Sequence, residues 1–453
     1  MRLTSSFTNR PRYPAPDVAR GFMLLLIAVA NVPFWTGLVL SGSLSESSGS
    51  TADAVWLAIR AMLVDRRAMP LFALLFGFGL MVMINRRIES GTRGYLESLG
   101  PRAAQAPTEA QLAWAKELAT VDARRLVRRR GWWMLLFGGL HSVFFAGDVI
   151  GSYGLVAVVF AGWLARKRRR RLLAAALLPV LVLLLSLSVS LFFQLSGGGG
   201  TVSGRGADAS GLPPSPFPEE VPWFLLNPGF WALITLTVMF LTMTLPAVFL
   251  GARLADSDLL SHPERHRRLL LGVGAGGLAI AALGALHKVL AVTGASAAWA
   301  ADTSLVELTG LAGACGWLAL LALYAGGARP EGELRGLRRV LSAVGRRSMT
   351  AYLSQTVLFG LVLVIVPAVI GADFRPGPAL AAAIAVGVWL GTVVLCLLLE
   401  RAGRPGPFET ALRTAVANSA RSRPVPPPPE ALPASGQTPE PHAPPPGAPG
   451  RTA

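Results

Sequence analysis

The feature that most constrains this chain is a set of ten long apolar stretches. Between them, the basic residues are concentrated almost wholly in alternate loops. An α-helix rises about 1.5 Å per residue, so about 20 apolar residues are needed to cross the hydrocarbon core of a bilayer. We therefore predict an all-α fold, a polytopic integral membrane helix bundle with about ten transmembrane helices. The predicted spans cover residues 21–41, 69–85, 131–147, 150–166, 172–194, 229–251, 269–292, 305–326, 350–371 and 378–400.

The composition and the placement of charge both favour a membrane. Hydrophobic residues make up 52% of the 453 residues and charged residues only 15%, which is too apolar for a soluble domain. The net charge of +17 is typical of proteins that bind nucleic acid, but 36 of the 42 Lys and Arg residues fall on one predicted side. This asymmetry places both termini in the cytoplasm and predicts no nucleic-acid partner. The basic run 166–171 is then an anchor against anionic lipid head groups.

Six basic residues depart from this asymmetry. Five arginines fall on the opposite side of the predicted bundle and one lysine lies within a helix: Arg60, Arg66, Arg67, Arg205, Arg375 and Lys288.

The chain divides into a membrane domain over residues 1–416 and a Pro-rich, disordered cytoplasmic tail over residues 417–453. Within the membrane domain, sequence motifs cluster in an N-terminal half, 12–166, and in a C-terminal region, 229–416. Between them, the Gly- and Ser-rich segment 195–221 is expected to be a flexible external loop. The first apolar run lacks a convincing cleavage site, so we expect it to remain as the first helix.

Two smaller features indicate packing or capping. Thr108 and Gln111 form a capping box ahead of a charged helix, 108–130, that we expect along the cytoplasmic face. Cys315 and Cys396 lie in different predicted spans and are interpreted as small packing residues.

Polar residues inside the spans are the candidates for chemistry, because a charge there costs roughly 2.5–3.5 kcal/mol. They form three predicted layers. The layer at the cytoplasmic end contains Asp17, Arg20, Arg346, Arg347, Tyr352 and Gln355. Asn31 and His141 lie near mid-depth, and Asp148 and Tyr153 lie near the external face with His287, Lys288, Asp302 and Glu307.

Each layer also has a structural interpretation. Asp17 would simply cap the first helix, Arg20 would anchor it to head groups, and Asn31 would hydrogen-bond a neighbouring helix. A single histidine at mid-membrane is harder to explain by packing, which favours a functional role for His141.

Five motifs in order resemble the YeiB-type membrane proteins, the family of domain of unknown function 418. In the N-terminal half these are Asp17-Val-Ala-Arg20-Gly21 leading to Asn31, then Leu71–Gly79, then Gly139-Leu-His141 with Gly147-Asp148 and Tyr153-Gly154. In the C-terminal half they are Gly345–Gln355 and Gly406-Pro407-Phe408-Glu409 with Arg413. The resemblance spans about residues 12–413, although Thr410 and Leu412 stand where the family usually has tryptophans.

The family resembles a wider group of transmembrane acyltransferases, in which a cytosolic acyl-CoA donates to a sugar on the far side. The resemblance implies that His141 is a base or acyl carrier and that Asn31 is an orienting or oxyanion partner. It implies an acyl-CoA as donor substrate, with no resident metal or cofactor, and an envelope glycan or lipid as acceptor.

The residues are chemically consistent with acyl transfer. A neutral histidine and an amide N–H supply a base and an oxyanion donor. Arg20, Arg346 and Arg347 would bind CoA phosphates, while Asp148 and Tyr153 would hold sugar hydroxyls. The sequence shows no acid paired with His141 at a fixed local spacing.

Two other functions remain open. A transporter or flippase would also place polar residues at the midplane, and the Gly-rich segment Gly272–Gly277 would permit a broken helix. A non-catalytic scaffold or sensor would use the tail to bind partners. The Ala-, Gly-, Arg- and Pro-rich composition favours a bacterium of high genomic GC content, and hence its plasma membrane.

Overall fold

The computed structural model describes residues 13–39, 49–196, 223–296, 301–328, 333–372, 374–421 and 424–429. Helices account for every regular element in these ranges. They are α1 (Ala15–Pro33), α2 (Thr51–Leu63), α3 (Ala68–Ser98), α4 (Pro101–Gln105), α5 (Glu109–Ser142), α6 (Ile150–Ala165), α7 (Arg169–Leu195), α8 (Trp223–Phe240), α9 (Thr244–Leu254), α10 (Arg267–Val292), α11 (Asp302–Ala325), α12 (Gly336–Arg346), α13 (Ser348–Gly360), α14 (Val366–Ile370), α15 (Pro378–Arg401) and α16 (Pro407–Asn418). Two π-helical turns, Phe34–Val39 and Leu361–Ile365, follow α1 and α13. The all-α prediction is confirmed for the described residues.

Seven helical stretches in the described residues are long and apolar enough to cross a membrane, and there are eight if the bent pair α8 and α9 is one span. The other predicted spans differ in detail. The segment 131–147 falls partly in α5, which ends at Ser142, and α6 is a shorter apolar helix of 16 residues. The membrane-like architecture is therefore clear, while the count of ten helices and the orientation of the termini stay predictions.

Two local expectations were wrong, and one helix was missed. The charged segment 108–130 is not a separate helix before the third span, because α5 continues without interruption from Glu109 to Ser142. The glycines at 272–277 do not break α10, which is helical from Arg267 to Val292. Helix α2 was not predicted; it begins where the Ser50 hydroxyl accepts a hydrogen bond from the backbone N–H of Asp53.

The loop predicted at 195–221 begins with the last residue of α7, and its residues 197–221 lie outside the described residues. Most of the predicted tail, 430–453, also lies outside them, and α16 extends to Asn418, just past the predicted boundary.

The chain forms two compact units. The first comprises residues 1–85 and 123–420 and the second residues 86–122 and 421–453. In the second unit the Tyr95 hydroxyl donates to Asp122 Oδ2 at 2.7 Å, and its ring meets Trp114 edge-on. The predicted capping box is confirmed here, since Thr108 N donates to Gln111 Oε1 at 3.0 Å and Gln111 N to Thr108 Oγ1 at 3.2 Å. Everything that follows concerns the first unit.

Glycines let four helices of the first unit approach backbone to backbone. A Cβ at Gly77 of α3 would collide with the backbone carbonyl of Val248 in α9, and one at Gly251 of α9 with that of Leu74 in α3. In the same way, a Cβ at Gly21 of α1 would meet the α12 backbone. Small residues at such crossings are how membrane helices pack closely. These contacts fix α1, which carries Asp17, Arg20 and Asn31, and α3, which lines a cavity beside Asn31.

Candidate functional site

A buried histidine–carboxylate pair lies where α5 ends and α6 begins. His141 Nδ1 is 2.8 Å from Asp148 Oδ1, and Asp148 Oδ2 accepts a hydrogen bond from Gly151 N at 2.9 Å. Asp148 is fully buried and the His141 side chain is 7% exposed. The second carboxylate oxygen thus caps the start of α6, which holds the first oxygen against the imidazole.

A hydroxyl from a distant part of the chain completes the arrangement. Thr356 of α13 places Oγ1 2.8 Å from His141 Nε2. An ionised carboxylate only accepts hydrogen bonds, so we assign the proton of the neutral imidazole to Nδ1. Nε2 is then the acceptor, and the Thr356 hydroxyl donates to it. The order of groups is hydroxyl, imidazole, carboxylate, as in nucleophile–base–acid triads.

Helix α13 positions this hydroxyl through residues of the predicted site. The Tyr352 ring meets the His141 ring edge-on, with centroids 5.5 Å apart. Tyr352 and Thr356 are four residues apart and hence share a helix face. Gln355 Nε2 donates to the backbone carbonyl of Leu24 at 3.1 Å, which ties α13 to α1.

Aromatic rings close one side of the pair. Trp35 stacks on Phe145 and on Phe359 with centroid distances of 6.0 Å, and Phe145 lies 5.9 Å from His141. These rings place the imidazole in apolar surroundings.

The structure separates Asn31 from this arrangement. In the described residues no hydrogen bond joins Asn31 to His141, whose two ring nitrogens face Asp148 and Thr356. Asn31 instead lines a cavity of about 280 Å³ with Tyr153. Asp148 was expected at the outer end, where it would bind sugar hydroxyls. In the structure, its carboxylate instead contacts His141 and Gly151.

Sequence reasoning missed both partners of His141. Asp148 follows it by seven residues, a spacing that brings two residues to one side of a continuous helix, but here the chain turns between them. Thr356 is 215 residues away, so only its position four residues after Tyr352 in the C-terminal motif could have indicated it.

Five elements surround the cavity that Asn31 lines. α1, α3, α6, α10 and α11 contribute walls, together with the turn between α2 and α3. The lining residues are Ile27, Ala30, Asn31, Asp65, Arg66, Ala68, Met69, Pro70, Phe72, Val149, Tyr153, Lys288 and Glu307. Val149 directly follows Asp148, so the cavity lies next to the chain segment that carries the histidine–carboxylate pair. The hydroxyl of the buried Tyr153 donates to the backbone carbonyl of Met69 at 3.3 Å.

The opposite end of the bundle contains the predicted arginines. Arg20 Nη1 pairs with Asp17 Oδ1 at 3.1 Å, and the Arg20 side chain remains 25% exposed. Arg130 of α5 is close enough to interact electrostatically with Arg20 and Arg413. This end therefore gathers three arginines.

Arg346 and Arg347 make contacts within the fold. Arg346 Nη2 pairs with Glu400 Oε2 at 2.7 Å. Arg347 is buried and donates to the backbone carbonyl of Arg404 from Nη2 at 2.8 Å and from Nε at 3.2 Å. These bonds connect the start of α13 to the turn after α15.

The two C-terminal motifs meet at the start of α13. Glu409 of α16 accepts hydrogen bonds from the backbone N–H groups of Met349 and Thr350, at 2.7 and 3.0 Å, and from the Thr350 hydroxyl. A carboxylate at a helix N-terminus is stabilising. The pairing of these motifs is thus explained by capping.

The described residues contain no group of three or more His, Cys, Asp or Glu side chains arranged to hold a metal ion.

Comparison with known proteins gives one match. The family described as "Protein of unknown function (DUF418)" matches residues 254–418, which run from the end of α9 through α16. No curated protein and no solved structure matches the chain significantly. The family predicted from the motifs is therefore confirmed over residues 254–418, which match the DUF418 family model.

Proposed function

We propose that this protein transfers an acyl group from cytosolic acyl-CoA, across the membrane, to a hydroxyl of an envelope glycan or lipid. The observation that carries the proposal is the hydrogen-bonded chain of Thr356, His141 and Asp148. A half-buried hydroxyl that donates to a neutral imidazole backed by a carboxylate is an arrangement for removing a proton from an attacking hydroxyl.

His141 Nε2 takes the proton of the acceptor hydroxyl as its oxygen attacks the thioester carbonyl. Asp148 stabilises the imidazolium that forms. The C–O bond is made, the C–S bond breaks, and the imidazolium returns the proton to the departing thiolate. The Thr356 hydroxyl marks the position from which an acceptor hydroxyl would approach Nε2.

The surroundings of the pair suit this chemistry. His141 and Asp148 are buried beside stacked aromatic rings, which limits access of water that would hydrolyse the thioester. The arginines at the end that contains Arg20 would bind the phosphates of the donor, because guanidinium groups suit phosphate oxygens. The polar cavity near Val149 would receive the acceptor.

The test measures thiol release from acetyl-CoA by purified protein in nanodiscs, with an envelope glycan and lipid extract as acceptor. We expect release that falls at least 100-fold in His141→Ala, as for loss of a general base. The matched control is His266→Ala, because His266 Nε2 also pairs with a carboxylate, Asp258 Oδ1, at 2.8 Å, but is exposed in a loop. Folding of each variant is checked by gel filtration and thermal unfolding.

Acyl transfer is refuted if folded wild-type protein neither releases thiol nor binds CoA. It is also refuted in this form if release continues unchanged in His141→Ala.

A transporter is the second candidate, and one observation favours it. The span formed by α8 and α9 is bent by 58° at a break, where Met243 N donates to the buried Glu307 Oε1 at 3.1 Å. Broken helices with polar partners are found at transporter substrate sites. Substrate flux into proteoliposomes without any acyl donor would favour transport over acyl transfer.

A further inference from the structure

Four of the basic residues that depart from the charge asymmetry of the sequence come together in the structure. Arg60 lies in the last turn of α2, Arg66 and Arg67 lie in the turn to α3, and Lys288 lies near the end of α10. Basic residues on the less basic side of a membrane protein, or within a helix, are disfavoured unless they pair or serve a function. Two of the four, Arg66 and Lys288, line the cavity that Asn31 lines, and their position there needs a physical reason.

Two carboxylates in the described residues form ion pairs with these basic side chains. Asp65 pairs with Arg60 Nε at 3.1 Å and with Lys288 Nζ at 2.7 Å. Glu307 pairs with Arg66 Nη1 at 3.3 Å and accepts Met243 N. In the described residues, these ion pairs join two carboxylates to three of the four basic residues.

The two basic side chains that line the cavity are more exposed than the two carboxylates that line it. The side chains of Arg66 and Lys288 are 47% and 37% exposed, whereas those of Asp65 and Glu307 are 16% and 5% exposed. Arg67 is fully buried, and it donates to the backbone carbonyls of Asp65 and Ala281. A ligand that enters the cavity therefore meets guanidinium and ammonium N–H donors first.

The backbone of Arg66 is held in a rare conformation. Its φ is +58°, and Arg66 and Lys167 are the two non-glycine residues with positive φ in the described part of the chain. This left-handed region is unfavourable for a residue with a Cβ, and such strain clusters at ligand sites. Gly310 of α11 allows the close approach, since a Cβ there would collide with the Arg66 carbonyl.

We propose that this cavity binds an oxyanion, namely a phosphate or carboxylate group of a small polar ligand, between Arg66 and Lys288. Asn31 and Tyr153 are further polar residues that line the cavity, and Ile27 and Phe72 form an apolar wall. At about 280 Å³ the cavity is below the usual 300–1,000 Å³ of sites for drug-sized ligands, so it fits one head group or one sugar unit. The identification of this ligand as the acyl acceptor rests on the proposed function. The binding of an oxyanion in the cavity does not rest on it.

The experiment measures binding by isothermal titration calorimetry, without acyl donor, to full-length protein in phosphatidylcholine nanodiscs. The probes are sn-glycerol 3-phosphate, inorganic phosphate and glucuronate, with glucose and glycerol as uncharged probes. The main variant is Arg66→Asn, because asparagine tolerates positive φ and the fold should be kept. Lys288→Gln is the second variant, and Lys167→Asn is the matched control, a basic residue with φ +48° that lies outside the cavity.

We expect at least one charged probe to bind while the uncharged probes do not, and to bind at least tenfold more weakly in Arg66→Asn and in Lys288→Gln. Lys167→Asn should bind as wild type. Phosphatidylglycerol nanodiscs identify the source: competition indicates a lipid head group, and unchanged binding indicates a soluble ester. The proposal is overturned if no charged probe binds, if glucose binds equally well, or if both cavity variants bind as wild type.

Turnover of acetyl-CoA is measured separately on the same preparations. Binding without turnover would refute acyl transfer and leave the oxyanion site standing. Turnover that is insensitive to both cavity variants, with no probe binding, would refute only the oxyanion site.

Discussion

Asp148→Asn gives the sharpest test of the histidine–carboxylate pair, because asparagine has nearly the same shape and removes only the charge. Asp148 now accepts two hydrogen bonds, from His141 Nδ1 at 2.8 Å and from Gly151 N at 2.9 Å. An asparagine that keeps the bond to Gly151 through its carbonyl turns its NH₂ group toward His141. The imidazole must then carry its proton on Nε2, which faces Thr356 and can no longer act as a base.

The magnitudes for stability and activity differ. Hydrogen bonds to charged groups contribute about 1.5–3 kcal/mol and neutral ones about 0.5–1.5 kcal/mol, so we expect the free energy of unfolding to fall by about 1–2 kcal/mol. The matching substitution in a hydroxyl–imidazole–carboxylate triad lowers turnover about 10⁴-fold, or about 5.5 kcal/mol at 1.36 kcal/mol per factor of ten. Activity should therefore fall far more than stability.

The assay is acyl-donor-dependent thiol release, paired with unfolding followed by tryptophan fluorescence. Asp258→Asn is the control, since it makes the same change in the exposed pair with His266. Turnover of Asp148→Asn within tenfold of wild type would refute the reasoning, because the carboxylate would then be dispensable for setting the tautomer.

Three further predictions concern the scaffold. Glu409→Gln should lower the free energy of unfolding by about 1–2 kcal/mol, because the carboxylate that accepts two N–H groups at the start of α13 is lost; chemical unfolding in detergent tests this, and an unchanged midpoint contradicts it. Gly77→Val should abolish the folded fraction in gel filtration, because a Cβ there collides with the Val248 carbonyl, whereas Gly272→Val, with open space around it, should fold. Burial raises the pKa of the Asp256 carboxyl. Hydrogen bonds from the side chains of Lys167 and Asn85 outweigh this effect and hold the pKa below its ordinary value of 3.8. The stabilisation is therefore present above about pH 4 and is lost as pH falls through the folded pKa; thermal unfolding between pH 5 and 3 should show a drop that is smaller in Asp256→Asn than in the wild type.

The sequence was sufficient to predict an all-helical, membrane-like fold and to single out His141 as a candidate, because both depend on local composition and depth. Apolar length predicts spans directly, and a histidine ten residues inside a span is rare enough to be noticed. Helix α2 escaped prediction because Thr51–Leu63 is short and contains Asp53 and Arg60, so its amphipathic pattern resembles that of an exposed segment.

The partners of His141 depend on tertiary structure, which spacing cannot supply. Asp148 reaches it only because α5 stops at Ser142 and the chain turns back before α6. Thr356 reaches it because α13 is fixed to α1 by Gln355. The basic residues around Lys288 were visible in the sequence as exceptions to the charge rule, but their convergence required the packing of α10 against the turn between α2 and α3.

The reciprocal glycine crossing of α3 and α9 restricts how this bundle can move and how its sequence can change. Gly77 receives the carbonyl of Val248, and Gly251 receives that of Leu74, so neither helix can slide along the other without a backbone collision. The two helices must therefore move as one body in any conformational cycle. A side chain added at one glycine cannot be accommodated by shrinking a residue on the partner, because the obstacle is main chain. Substitutions at these positions should consequently lack second-site suppressors in the facing helix.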